Sequence, residues 1–170
     1  MHFSVTVVVR DVRDLNGALA PFGLDGDRPT EWDSWGIGGR FHDLLRVRGS
    51  STPVDVARRC DVDWETMDAA RVVGLRKRYR FLRKGGVALG PGIRNGESKR
   101  EYVERLQAPF QTYALLDLDG EWHEDDRDWF GGLSDEAADD DEREAWPERY
   151  QRLVAAAPDD ALLVIVDCHF

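Results

Sequence analysis

Hydrophobic residues at the start of the chain recur with a period of two. Phe3, Val5, Val7 and Val9 alternate with Ser4 and Thr6, the pattern of a half-buried strand. Residues 162–166, near the end, are apolar on both parities, which predicts a central strand covered on both faces. These are the two most β-like runs in the chain, and they are expected to be sheet neighbours. In the middle, "QTYALLDLDGEWHE" reads as two extended runs joined by Asp119-Gly120. That dipeptide favours a two-residue type I′ turn, with Ala114 or Leu116 directed at the core.

Helical periods lie between these runs. A short helix is expected around Leu15–Leu19 within an otherwise loop-like stretch rich in Asp, Gly and Pro. Residues 53–60, "PVDVARRC", predict a helix with Pro53 in its first turn. A longer helix follows over residues 64–84, N-capped by Asp63 and closed by Gly85-Gly86. Its apolar stripe is Trp64, Met67, Val72, Leu75, Tyr79 and Leu82. Ser98 and Glu101 form a capping box for a helix that ends before Pro109. A last helix opens at Pro147, with Trp146, Tyr150, Leu153 and Ala157 on one face. The whole predicts a single α+β domain over residues 1–170. It would be a mainly antiparallel sheet of about four strands packed with three to four helices.

Composition adds a charge layout. The 170 residues carry a net charge of −10, with 42% apolar and 33% charged positions, as in soluble globular proteins. No apolar run reaches the roughly 18 residues of a membrane span. The opening residues lack a basic leader, so a cytoplasmic protein without a secretion signal is expected. Residues 121–148 hold 13 Asp/Glu against Arg127 and Arg143, a net of −11. Residues 71–105 hold 11 Lys/Arg against Glu97, Glu101 and Glu104, a net of +8. The basic helix, "RKRYRFLRK", interleaves Tyr79 and Phe81 as a nucleic-acid surface does. The acidic segment offers it an internal partner, however, and nucleic acid is not the expected partner. The acidic segment itself suggests a hard-cation site or a mimic of nucleic-acid phosphates, although the spacing of an EF-hand is missing.

The densest candidate chemistry is "WDSWGIGGR", residues 32–40. Consecutive glycines let the backbone approach another group closely, and Arg40 offers a planar donor fork for carboxylate or phosphate. Trp32 and Trp35 are able to stack on a ring or base. The segment is neither a Walker loop nor a dinucleotide fingerprint. In the alternative reading the tryptophans fill the core and Arg40 pairs with Asp33. A second cluster lies in "DCHF", where Asp167, Cys168 and His169 end the last strand. His2 falls near His169 if the first and last strands run antiparallel, and His123 is a further candidate to join them. Such a set suits a metal or a Cys/His nucleophile pair. Adjacent strand residues point to opposite faces, though, which favours a structural Cys168 and a hydrogen-bonded His169. The two cysteines, Cys60 and Cys168, are expected as free thiols, and no C-x₂-C pair supports a zinc ribbon. The candidate binding residues are therefore Trp32, Asp33, Trp35, Gly38, Gly39, Arg40, Trp122, His123, Asp167 and His169. No metal or cofactor is expected.

The start "MHF-V-V", the segment "WD-W-IGGR", "YALLDLDGEWHE", "DWFGG" and the end "DDALLVIVDCHF" together resemble a family of small proteins encoded by tailed phages and actinobacteria. Phe41 fits the aromatic that follows the arginine in that family, and Asp128-Trp129-Phe130 fits its aromatic pair approximately. The resemblance spans most of the chain except residues 50–108. It implies an intracellular, mobile-element setting but brings no activity. The leading functional expectation is a non-enzymatic accessory protein that binds a host or defence partner, or a small ligand, through residues 32–40. The rival is a hydrolase or transferase acting on a nucleotide-like ligand with His123, His169 and Asp167 beside Arg40. A third reading is an acidic nucleic-acid mimic. The sequence sets no oligomeric state.

Overall fold

The two valine-rich runs do meet. In the computed structural model, β1 (His2–Val9) and β6 (Leu162–His169) pair antiparallel along their whole lengths, from His2 opposite His169 to Val9 opposite Leu162. The structure describes residues 2–28, 32–87, 92–124 and 145–170. Much of the acidic segment, with the Asp128-Trp129-Phe130 motif, lies outside the described residues. The chain forms two compact units, residues 1–63 with 111–170, and residues 64–110.

The first unit is built on the β1–β6 pair. β4 (Ala114–Leu116) joins β1 in parallel, and β5 (Trp122–Glu124) continues outward antiparallel to β4. The other edge of β6 is shared by two short strands. β2 (Ser34–Ile37) takes the half towards His169, and β3 (Val56–Arg58) takes the half towards Leu162. The sheet has six strands in the order β2-β6-β1-β4-β5, with β3 beside β2 on β6. The α+β class and the mainly antiparallel sheet stand as expected, but four strands is an undercount. β2 and β3 are too short to show alternation. β3 falls in residues 53–60, where a helix was expected. There Val54 bridges Leu45 and Val56 pairs with Val164, as β-branched residues beside a strand edge prefer.

Strand alternation then builds two layers. Val5, Val7, Val9, Val164, Val166 and Cys168 face a core closed by Phe22, Trp32 and the short helix α1 (Leu15–Leu19). Each such side chain contributes roughly 1.5–3 kcal/mol on full burial. The opposite face carries a buried polar chain. Thr112 Oγ1 donates to the Ala114 carbonyl at 2.6 Å, which leaves its lone pairs for Thr6 N at 3.1 Å and Thr6 Oγ1 at 3.0 Å. Thr6 Oγ1 in turn accepts the Tyr150 hydroxyl at 2.7 Å. Burial pushes that phenol up to about 12, so it stays a donor. Tyr150 belongs to the last helix (Trp146–Ala156), whose buried stripe is Trp146, Tyr150 and Val154. The expected Leu153 and Ala157 are half-exposed instead.

The second unit pairs α2 (Trp64–Arg83) with α3 (Lys99–Leu106), so that the described residues form four α-helices in all, with α4 (Trp146–Ala156). The Ser98–Glu101 capping box forms as expected. Tyr79 packs against Tyr102 with ring centroids 5.4 Å apart and planes tilted by 57°, and it donates to the Glu97 carbonyl at 3.0 Å. Arg105 grips the Glu97 carboxylate through Nε at 2.6 Å and Nη2 at 2.8 Å.

The hairpin between β4 and β5 is present, but its turn differs from expectation. Gly120 N donates to the Asp117 carbonyl at 3.2 Å and Asp117 N to the Glu121 carbonyl at 3.1 Å. The loop is therefore three residues, Leu118 to Gly120, with Gly120 alone in the left-handed region at φ 79°. Asp117 selects it, because its Oδ1 accepts the amides of Asp119 and Glu121, both at 3.0 Å. Gly120→Val should destabilise by about 1–3 kcal/mol in a urea melt, since nothing crowds the site and only the backbone strain is tested. In the second unit, Arg105 holds the Glu97 carboxyl down from 4.5 to about 2. A carboxyl depressed on folding stabilises above its unfolded value, and that stability is lost as pH falls from about 4.5 towards 2. Glu97→Gln should flatten this part of the stability–pH profile.

Candidate functional site

On β6, Asp167 and His169 are two residues apart and share one face of the sheet. The β1 register sets His2 opposite His169 and Ser4 opposite Asp167. On the other side, β2 sets Ser34 opposite His169 and Gly36 opposite Asp167. One end of the sheet therefore gathers two imidazoles and a carboxylate on adjacent strands.

Each imidazole is held by a carboxylate. His2 Nδ1 lies 2.9 Å from Asp167 Oδ1, and His169 Nδ1 lies 2.8 Å from Asp33 Oδ1. An ionised carboxylate only accepts, so each Nδ1 carries the proton and each Nε2 is the nitrogen left open. The two rings meet edge to face with centroids 4.7 Å apart. Asp33 also accepts from Ser34 Oγ at 3.0 Å. Its hydrogen bond from His169, with that from Ser34 behind it, holds the Asp33 carboxyl below the usual range. Asp167 is buried, and its second oxygen accepts the Arg40 amide at 2.9 Å.

Two glycines of residues 32–40 lie against carboxylates, Gly38 against Asp55 and Gly39 against Asp167. Gly38 and Gly39 have φ of 68° and 50°. A β-carbon at Gly38 would run into the carboxylate of Asp55, and one at Gly39 into that of Asp167. Asp55 Oδ1 meanwhile accepts the Asp43 amide at 2.6 Å. Residues 38–43 are thus wrapped around two internal carboxylates. The sequence pointed to a close backbone approach, and the group approached is part of the chain itself.

The other candidates are placed elsewhere. Trp32 is buried, with its ring 6.0 Å from Phe22 and 5.6 Å from Trp122. Trp35 and Trp122 are half-buried against that same core, and Trp122 Nε1 donates to Glu124 at 3.1 Å. His123 sits on β5, two strands from β1, about 15 Å from His2 by strand spacing and rise. Both its nitrogens are engaged, Nε2 with Asp117 at 2.8 Å and Nδ1 with Arg149 at 3.5 Å. Cys168 faces the core opposite His169, and burial pushes its thiol up to about 12. It is free, as is the exposed Cys60, whose thiol is also raised. Arg40 does not pair with Asp33, which is taken by His169. Its side chain is exposed, and among the described residues its guanidinium meets no carboxylate. Asp55 and Ser34 carried no sequence signal as site residues.

Among the described residues no group of three or more His, Cys, Asp or Glu side chains is arranged to hold a metal ion. No described helix is long and apolar enough to cross a membrane. No family model matches this chain, and neither a curated protein nor a solved structure does.

Arg40 and Gly39 should separate under mutation. Arg40→Ala removes an exposed, unpaired side chain and should shift stability by no more than about 0.5 kcal/mol. Gly39→Ala forces a β-carbon into positive φ and against Asp167, and should cost about 1–3 kcal/mol. Paired thermal melts of the two variants check this, and equal losses would contradict the geometry.

Proposed function

We propose that the sheet end carrying His2, His169, Asp167 and Asp33 is a general acid–base site, and that the chain is a hydrolase or transferase acting on a phosphate-bearing, nucleotide-like ligand. The observation that supports this reading is the pair of imidazoles 4.7 Å apart, each oriented through Nδ1 by its own carboxylate. The rings meet at an interplanar angle of 63°, and among the described residues no group takes either Nε2. In the proposed reaction one ring works as base and the other as acid. In ester cleavage the neutral ring takes the proton of an attacking water as the new P–O bond forms. The protonated ring gives its proton to the departing oxygen as the old P–O bond breaks. Arg40, fixed at its amide on Asp167, carries an uncommitted guanidinium fork suited to the phosphate oxygens. Compared with the set expected from the sequence, His2 stands in for His123.

The reading of a non-enzymatic accessory protein that binds through residues 32–40 is narrowed by the same geometry. The indoles that would have formed its contact surface pack against the core. What stays exposed there is Asp33, Ser34, Ile37, Gly39, Arg40 and the neighbouring His42, a mainly polar surface without an indole. The mimic reading depends on the acidic segment, most of which lies outside the described residues.

The test is hydrolysis of bis(p-nitrophenyl) phosphate and p-nitrophenyl phosphate by the full chain across pH 5 to 9. Turnover of at least one ester with a bell-shaped profile is expected. His2→Gln and His169→Gln should each lower it by about 10²–10⁴-fold while the fold is retained. Absence of turnover on both esters, or full activity in both variants, overturns the acid–base reading.

A further inference from the structure

The second unit carries a charge pattern that its own structure does not use. Residues 64–110 hold eleven Lys/Arg against five Asp/Glu, in a chain whose net charge is −10. Most of those carboxylates are committed locally. Glu97 is held by Arg105, Glu104 by Arg100, Glu101 by the Ser98 cap, and Asp68 by the Phe110 amide. The C-terminal half of α2 is different. Arg76, Lys77, Arg80, Arg83 and Lys84 are exposed, and among the described residues none of them forms an ion pair. Arg80 Nε reaches only the Arg76 carbonyl of its own helix, at 3.3 Å. At 3.6 residues per turn the four cations within α2 fall within an arc of about 120°, spread over roughly 10 Å of helix, and Lys84 follows in the turn that closes it. Favourable interaction with the negative end of the helix dipole accounts for Arg80 and Arg83 in the last turn and for Lys84 just beyond it, because that effect fades away from the last turn. It leaves Arg76 and Lys77 unexplained.

An aromatic ring borders this stripe. Phe81 is 52% exposed, an unusual position for a phenylalanine beside five cations. The helix ends in a closed turn in which Gly86 N donates to the Phe81 carbonyl at 3.1 Å and Gly85 N to the Leu82 carbonyl at 3.0 Å. That turn folds Gly86 back beneath the Phe81 ring, where a β-carbon would collide with it. The ring is therefore supported by backbone on one side while half of its surface remains open.

We propose that this face of α2 binds single-stranded nucleic acid, with Arg76, Lys77, Arg80, Arg83 and Lys84 on the phosphates and Phe81 stacked on an unpaired base. Cations in a row with an exposed ring among them are the two elements by which single strands are held without sequence readout. A duplex keeps its bases stacked and offers Phe81 nothing. An acidic protein segment would satisfy the cations but leave the ring without a role. The expectation against nucleic acid rested on the acidic segment as an internal partner and on the net negative charge of the chain; among the described residues no carboxylate takes these five side chains. The proposal rests on residues 64–110 alone and is independent of the acid–base reading.

Fluorescence anisotropy on the full chain tests it, with labelled 12-nucleotide single strands of RNA and of DNA, the matching duplex, and a 12-residue glutamate peptide. Single strands should bind at 50 mM salt, and five phosphate contacts predict about a 100-fold loss of affinity by 200 mM. Arg76→Ala with Arg80→Ala should reduce the salt slope by about two contacts' worth. Phe81→Ala should weaken single-strand binding about 5-fold or more and leave the slope unchanged. Phe81→Leu controls for lost bulk, and thermal melts of each variant confirm the fold. A preference for RNA over DNA or the reverse identifies which strand is taken, and either supports the proposal. No binding at 50 mM, a slope indifferent to the arginine substitutions, a duplex bound as tightly as the single strand, or a glutamate peptide bound as tightly as either would each overturn it.

Discussion

The eight-residue antiparallel ladder between β1 and β6 is the constraint on which the first unit depends. Every other strand but β5, which pairs with β4, attaches to one of these two. β4 adds to the free edge of β1, and β2 and β3 divide the free edge of β6. A slip of one residue in this register would turn the valines of β1 from the core to the opposite face. It would also separate His2 from His169. The core and the candidate site are therefore specified by the same set of backbone hydrogen bonds.

Within that ladder Asp167 is the costly residue. A buried carboxylate in a central strand requires partners for both oxygens, or it would be driven to neutralise. It obtains them from the His2 ring and the Arg40 amide. The second partner is reachable only because Gly39 adopts a positive φ and lacks a β-carbon. The glycines, the turn through residues 38–41 and the orientation of His2 are thus linked consequences of a single ionisable group placed inside a sheet.

The sequence was informative where a local rule acts alone. Alternation revealed β1, a doubly apolar run revealed β6, and the Ser98–Glu101 box located the start of α3 to the residue. It was uninformative where long-range pairing decides the outcome. β2 and β3 are strands because β6 offers an edge to Gly36 and Val56, not because four or three residues show a period. The hairpin's position was legible, but its loop type depended on one side chain, Asp117, which accepts two amides. At the site, the closeness of His2 and His169 followed from strand pairing. The grouping of Trp32 with Arg40 did not survive folding, because β2 covers only Ser34–Ile37 between them and the chain turns through the positive φ of Gly38 and Gly39 before Arg40. Trp32 joins the aromatic core while Arg40 stays outside, so the segment divides between two surfaces.

The order of the strands also governs how this unit is made. β6 is translated after each strand it pairs with, and it occupies the interior of the sheet. Until it emerges from the ribosome, β1 lacks its principal partner, and β2 and β3 have no edge to join. Residues 64–110, by contrast, are continuous in sequence and complete long before β6. Closure of the sheet therefore follows the synthesis of β6, and the juxtaposition of His2 with His169 comes with it.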